Sequence, residues 1–226
     1  MTLLYLYLAL APALAIALYI YWKDKNEKEP ITYLIGFFLL GALTCIPAGI
    51  TNSIGGTVLG FEHGQSHGLV RSFFMAFFVV GLGEELFKFL ALMFVAFRMK
   101  NFNEPFDGIV YSVMIGLGFA SLENIMYVFE GGIGVAFMRT LTAVPMHAAF
   151  GIIMGYYVGK AKFLKGDRQT ETAILGLAWA IFFHGAYDFC LFQNASVILL
   201  LMVFPIMGLA FFLSRKAIKQ HLAKQS

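Results

Sequence analysis

Charge is what this sequence has least of. Of its 226 residues only 13% are Asp, Glu, Lys or Arg, while 60% are hydrophobic and the mean hydropathy is +0.78. Soluble domains carry about 25% charged residues, so half that level leaves too little polar surface to face water on all sides. A soluble globular domain is excluded. The net charge of +3 is thin, and the basic residues are scattered between apolar runs, which argues against a nucleic-acid partner. Cysteine is nearly absent. Cys45 and Cys190 each lie near the end of an apolar run, and two cysteines define neither a disulfide framework nor a metal site. No low-complexity tract, long linker or repeat interrupts the chain, so 1–226 reads as one integral domain. No Lys or Arg precedes Lys23, so the apolar run Leu3–Trp22 lacks the basic start of a signal peptide and reads as a retained first helix.

What is present is apolar length. Runs able to cross a bilayer recur seven times, at about 3–22, 32–50, 72–97, 108–128, 135–158, 172–192 and 195–214. None alternates between two faces, so the fold class is all-α, a polytopic membrane protein whose helices satisfy their own backbone in lipid. Thirteen of the sixteen Lys and Arg residues fall on one side of this arrangement: Lys23, Lys25 and Lys28, then Arg98 and Lys100, then Lys160–Arg168, and the tail from Arg215 to Lys224. Basic loops stay cytoplasmic. The expected topology is therefore an outer N-terminus and a cytoplasmic C-terminus, in a multi-pass membrane protein.

Inside these runs sit groups that lipid does not welcome. VVGLGEELFKFLALMF (Val79–Phe94) holds Glu84, Glu85 and Lys88, and each unpaired charge near the bilayer centre costs roughly 2.5–3.5 kcal/mol on insertion scales. Glu123 and Asn124, His147, and His184 with Asp188 lie on three further helices, all expected between the midplane and the outer surface. Small-residue stripes run beside them. His147, Gly151, Gly155 and Gly159 share one, and Gly176, Ala180, His184 and Asp188 another, as close helix approach requires. A Glu–Lys pair alone would make a structural clamp, and a lone histidine is more often a packing residue. Four helices offering ionisable groups at one depth instead predict a shared interior site.

Carboxylate with imidazole suits activation of water. A glutamate can take its proton, and a histidine can hold it or face the developing oxyanion. Alternatively His147 and His184 with a carboxylate, Glu123 or Asp188, would hold one divalent metal, zinc foremost, with an open water position. HExxH is absent, Ser121 has no nucleophile–base pattern around it, and neither cysteine has a base partner. A proton- or ion-coupled transporter is the rival reading, because intramembrane acids also mark relays. It would need ionisable groups reaching both faces. A seven-helix receptor with a Schiff-base lysine is disfavoured, since 195–214 has no lysine. A catalytically inactive scaffold is a third reading. Thr51–Leu69, with Glu62, His63 and His67, reads as a solvated outer loop or a lid, and Asp107 as a helix cap.

At these residues the chain resembles the PrsW family of intramembrane proteases. The likeness is carried in order by GEELFK (Gly83–Lys88), EPFDGIVY (Glu104–Tyr111), GFASLEN (Gly118–Asn124), PMHAAFGIIMGYYVGKA (Pro145–Ala161) and HGAYDF (His184–Phe189). With the early KDKNEKEP turn it covers nearly the whole chain. It implies a multi-pass peptidase of a bacterial cell membrane, making the first, extracytoplasmic-side cut in a single-span anti-sigma factor. More distantly the chain is similar to the CAAX-protease and bacteriocin-processing superfamily, whose motifs run EExxxR, FxxxH and HxxxN/D. Here Lys88 comes one position early, and Glu123 stands where that superfamily has histidine. The likeness carries over Glu84 and Glu85 as the acid/base pair and His184 with Asp188 as the third motif, leaving His147 to hold water. One family is labelled a metalloprotease and the other read as metal-free, so both schemes stay open.

Overall fold

Among the residues described by the computed structural model (2–24, 27–62, 67–193 and 195–223), every regular element is helical. The order is α1 (Thr2–Lys23), α2 (Ile31–Leu59), α3 (Leu69–Phe74), a π-helical stretch (Met75–Gly81), α4 (Leu82–Phe94), a 3-10 turn (Ala96–Arg98), α5 (Pro105–Leu141), α6 (Ala143–Lys162), α7 (Asp167–Phe192), α8 (Val197–Leu201) and α9 (Val203–Leu222). Five helical stretches are long and apolar enough to cross a membrane: Leu3–Lys23, Ile31–Leu59, Pro105–Lys162, Asp167–Phe192 and Val197–Leu222.

Two features separate these five from the seven expected runs. The runs 108–128 and 135–158 fall within the single apolar stretch Pro105–Lys162, whose helix is interrupted at Gly132 (φ +72), where the chain doubles back. Such a φ is open to glycine at no steric cost. The return leg pairs with the outgoing one: Arg139 bonds Asn124, Gly116 meets the His147 carbonyl, and Gly155 meets Gly108. The run 72–97 is divided by the π-helical stretch. α2 also continues nine residues beyond 50, so the first part of the expected outer loop is helical. Its hydroxyls turn inward on the helix itself, Thr51 donating to the Ala48 carbonyl and Thr57 to that of Ser53. His67 stacks on Phe61 and contacts the Glu62 backbone, while His63 lies outside the described residues, as do Lys25 and Lys224.

α5 is the axis of the bundle. From Phe106 to Ser121 every residue is buried, and α1, α2, α4, α6 and α9 pack around it. The tightest approaches are backbone on backbone. A methyl group added to Gly155 would stand 2.3 Å from the Gly108 carbonyl oxygen, and one on Gly118 would overlap the Phe38 carbonyl of α2. Small-residue contacts of this kind are how apolar helices associate in lipid, where burial of oil in oil supplies no drive. The outward faces carry Leu18, Ile50, Phe137 and Phe212, all more than half exposed. At the Lys23 end, lysines lie over rings: Lys23 over Trp22 and Lys28 over Tyr21. Asp107 accepts from the Asn103 and Glu104 amides, capping α5 as its position predicts. Beside it lie the buried carboxyls of Asp24 and Glu29, the latter bonded to the Tyr111 hydroxyl.

Candidate active site

The stretch ahead of Glu84 is wound in wide turns from Met75 to Gly81. π-turns inside helices recur at functional sites because the extra residue resets which side chains face inward. Gly81 then sits against the Gly185 backbone of α7, and Gly185 against the Phe77 ring, which brings the first turn of α4 beside His184. Glu84 and Glu85 are both buried there. Lys88 sits between them, its Nζ 2.7 Å from Glu85 Oε1 and 3.4 Å from Glu84 Oε2. Glu85 is also 2.8 Å from His184 Nδ1, so its carboxylate is held from two sides. Glu84 accepts from Asn52 Nδ2 on α2 at 3.1 Å. Its Oε2 lies 3.8 Å from His184 Nε2, which in turn lies 3.4 Å from Asp188 Oδ2.

Lys88 extends the network to α6. Its ammonium is 3.1 Å from His147 Nδ1 and lies over the Phe119 ring. An ammonium can only donate, so Nδ1 accepts and His147 carries its proton on Nε2. That N–H points at Glu123 Oε2, 2.9 Å away. Glu123 also receives Arg139 at 2.7 Å, and Arg139 Nε donates to Asn124 Oδ1 at 2.9 Å. Asn124 closes the chain by donating to the Ala9 carbonyl of α1. Phe150 stacks on His184 and edges His147, fixing both rings. The structure thus brings Glu84, Glu85, Lys88, Glu123, Asn124, His147, His184 and Asp188 into one connected set. Ser121 instead donates to the Leu117 carbonyl, and both cysteines are free and buried.

A cavity of about 830 Å³ opens onto this set. Glu84, Glu123, His147, His184 and Asp188 line it, whereas Glu85 and Lys88 stand behind them. Two lining residues escape a reading of the sequence. Arg139 looks like a flanking charge of an outer connection until the turn at Gly132 folds it onto Glu123. Asn52 looks like part of a polar loop until α2 is seen to run on. The signal for Arg139 was its place within an apolar run, the same signal that marks Lys88.

Fold and site together define a polytopic helical membrane protein with an internal acid–imidazole cavity. The profile of the family described as PrsW family intramembrane metalloprotease matches residues 29–213. The chain is 39% identical to the Protease PrsW of Oceanobacillus iheyensis over 185 residues, covering 82% of this chain and 81% of that protein. It is 36% identical to the Protease PrsW of Bacillus subtilis over 169 residues, 75% and 74% of the two chains. With the Protease PrsW of Geobacillus kaustophilus it shares 38% identity over 175 residues, 75% of this chain and 71% of that one. No solved structure matches. This chain belongs to the PrsW family of intramembrane proteases, and is a multi-pass membrane peptidase of a bacterial cell.

The metal in that description can be tested against the side chains. Ligand atoms of Glu84, His147 and His184 all lie within 4.8 Å of one another, two imidazoles and a carboxylate, the donor types of catalytic zinc. His184 has its Nδ1 anchored on the Glu85 carboxylate, as such ligands do, while its Nε2 faces Asp188 and Glu84, two residues that line the cavity. Around the centre stand the four carboxylates of Glu84, Glu85, Glu123 and Asp188 against one ammonium and one guanidinium, a formal surplus of two negative charges. A divalent cation would offset it. The donor set fits, with one condition. Both nitrogens of each imidazole are engaged, so His147 must release Lys88 or Glu123, and His184 must turn its Nε2 from Asp188, to bind a metal.

Proposed function

We propose that this protease hydrolyses a peptide bond of a membrane-anchored protein on the extracytoplasmic side, with Glu84 as the base that activates water. The carrying observation is that Glu84, but not Glu85, lines the cavity that also holds both imidazoles. Glu84 takes a proton from water as the oxygen attacks the scissile carbonyl. It returns that proton to the amine when the C–N bond breaks, leaving a carboxylate and an amine. Glu85 and Lys88 are positioning residues: Glu85 orients His184, and Lys88 holds both carboxylates and His147. Arg139 lines the cavity with N–H groups beyond those given to Glu123 and Asn124, and faces charge developing on the carbonyl oxygen. A divalent metal, zinc foremost, would be held by Glu84, His147 and His184, and ligation would replace the base role of Glu84, the metal then acidifying the water and polarising the carbonyl.

Seven crossings with the N-terminus outside are supported by the hairpin at Gly132 and by the gathering of Lys–aromatic pairs near Lys23 and Lys160. On that topology the cavity lies toward the outer side. By resemblance, the substrate is a single-span anti-sigma factor.

The transporter reading draws on one observation, the second set of buried acids, Asp24, Glu29 and Asp107, at the other end of α5. Between the two sets, however, α5 presents Val113, Met114, Ile115 and Leu117, all buried in the apolar core. Only the Ser112 and Ser121 hydroxyls interrupt it, and no ionisable side chain of α5 lies between Tyr111 and Glu123. The deciding experiment reconstitutes the chain in vesicles with a single-span anti-sigma factor from the same genome. The expected result is one cut on the outer side by the native chain and none by Glu84→Gln. An unchanged substrate, with proton flux on acidification, would reverse the choice.

A further inference from the structure

The helices α2 and α5 touch closely at one end and part at the other. Near Gly41 an added methyl group would stand 2.0 Å from the Ile115 carbonyl oxygen, and near Gly118 contact with Phe38 is as tight. Two turns on, at Gly49, an added methyl would meet nothing within 4 Å. Pro47 lies between, inside α2, where it removes a helical hydrogen bond and favours a bend. In the parted region a second cavity of about 440 Å³ adjoins the catalytic one. Both are lined by Cys45, Gly49 and Ser53, which share one face of α2, and by Met126 of α5. The second is completed by Ile46, Ile50, Ile54 and Leu122, so it holds no charged residue. Its isoleucines are more than half exposed on the side that faces lipid.

We propose that this cleft is a lateral entry through which an apolar, uncharged spanning segment of the substrate reaches Glu84, with a small residue passing Gly49. The proposal rests on the protease reading above. Continuity of the two cavities argues for a polypeptide over a lipid tail. An acyl chain gains nothing by extending toward carboxylates, imidazoles and Arg139, whereas an unwound peptide carries amides that need polar partners in lipid. The glycine at the neck serves no packing contact, and mid-helix glycine is otherwise unfavourable by roughly 0.5–1 kcal/mol relative to alanine. Its lack of a side chain keeps the passage clear.

The test is Gly49→Phe, with Gly36→Phe as control. Gly36 is on the same helix, meets nothing within 4 Å and lines neither cavity. In vesicles holding the single-span anti-sigma factor, cleavage by Gly49→Phe should fall roughly tenfold or more, while Gly36→Phe stays within about twofold of the native chain. In a Glu84→Gln background with Cys45→Ala and Cys190→Ala, Gly49→Cys should form a disulfide with a cysteine in the spanning segment, and Gly36→Cys should not. Native cleavage by Gly49→Phe overturns the entry and leaves the protease reading standing. Slowed cleavage without the cross-link also overturns it, since the phenyl ring would then be acting within the catalytic cavity or lipid alone would fill the cleft. If the native chain cuts nothing, the protease reading fails, and absence of the cross-link removes the entry as well.

Discussion

Glu84 and Glu85 are adjacent in sequence and about 100° apart around the helix, and this separation assigns them different work. Glu85 is enclosed by Lys88 and His184, while Glu84 keeps one edge on the cavity. Replacing Glu84 with Gln should lower cleavage roughly 10²-fold or more while thermal unfolding in detergent stays near native. Equal activity of the two proteins would show that the base is elsewhere. Lys88→Met makes a different prediction. It strips the shared cation from two buried carboxylates, a change worth roughly 3–5 kcal/mol of stability, and it frees His147 Nδ1. Elemental analysis should find more zinc retained after dialysis in Lys88→Met than in the native chain, and addition of zinc should recover part of the lost melting temperature. Lower zinc content would mean that Lys88 supports the metal instead of competing with it. All the ionisable members of the set except Arg139 stand out in the sequence, since a charge inside an apolar run has no cheap explanation. Arg139 and Asn52 do not, because Arg139 lies near the outer start of the run 135–158 and Asn52 in the polar stretch Thr51–Leu69.

At the scale of elements, the glycines of α6 that stripe its sequence beside His147 turn out to seat α5. Gly151 faces the Ser112 carbonyl, Gly155 faces Gly108, and Gly116 on α5 faces the His147 carbonyl. Gly155→Leu should therefore force the hairpin apart, costing about 1–3 kcal/mol by overpacking. It should slow cleavage as well, since His147 is carried on the same helix. A melting temperature equal to the native one would contradict the packing. The α1–α2 turn carries a second consequence. Burial pushes the Asp24 carboxyl up to about 6, only partly offset by the Glu29 backbone N–H, and burial raises Glu29 as well. Below about pH 4 both folded and unfolded chains keep Asp24 protonated, so its folded form costs nothing. Between about pH 4 and pH 6 the unfolded chain ionises Asp24 while the folded chain keeps it protonated, so stability falls across that window and levels off above it. The native chain should thus lose melting temperature between pH 4 and pH 6 more steeply than Asp24→Asn does. Parallel curves would place the ionisation elsewhere. Among the described residues Glu27 and Glu104 add to the upward push, whereas Lys28 and the Glu29 backbone oppose it.

The whole molecule separates its two acidic sets by an apolar plug on α5 and opens one of them to a cavity. This one-sidedness is what a hydrolase in lipid needs, because water must reach the scissile bond without crossing the membrane. It also places the metal question in solution. Chelation followed by dialysis should abolish cleavage of the single-span substrate, and zinc should restore it. Zinc binding in intact protein, measured by calorimetry, should weaken in Glu84→Gln and in His184→Ala. Activity undiminished by chelator, with no bound metal, would instead favour water held by the side chains alone.

Lipid makes length and apolarity nearly one-dimensional properties, so the sequence by itself determined that this chain is helical, embedded and furnished with misplaced acids and imidazoles worth explaining. Its motif blocks and their order also sufficed to find the family. Rotation about each helix axis is another matter. A row at spacing four drifts by about 40° per step, and the wide turns of Met75–Gly81 add a shift that no periodicity reveals. Only tertiary structure decided which glutamate meets the cavity, how Arg139 returns to Glu123, and where α2 and α5 part, because each depends on helices touching at particular glycines.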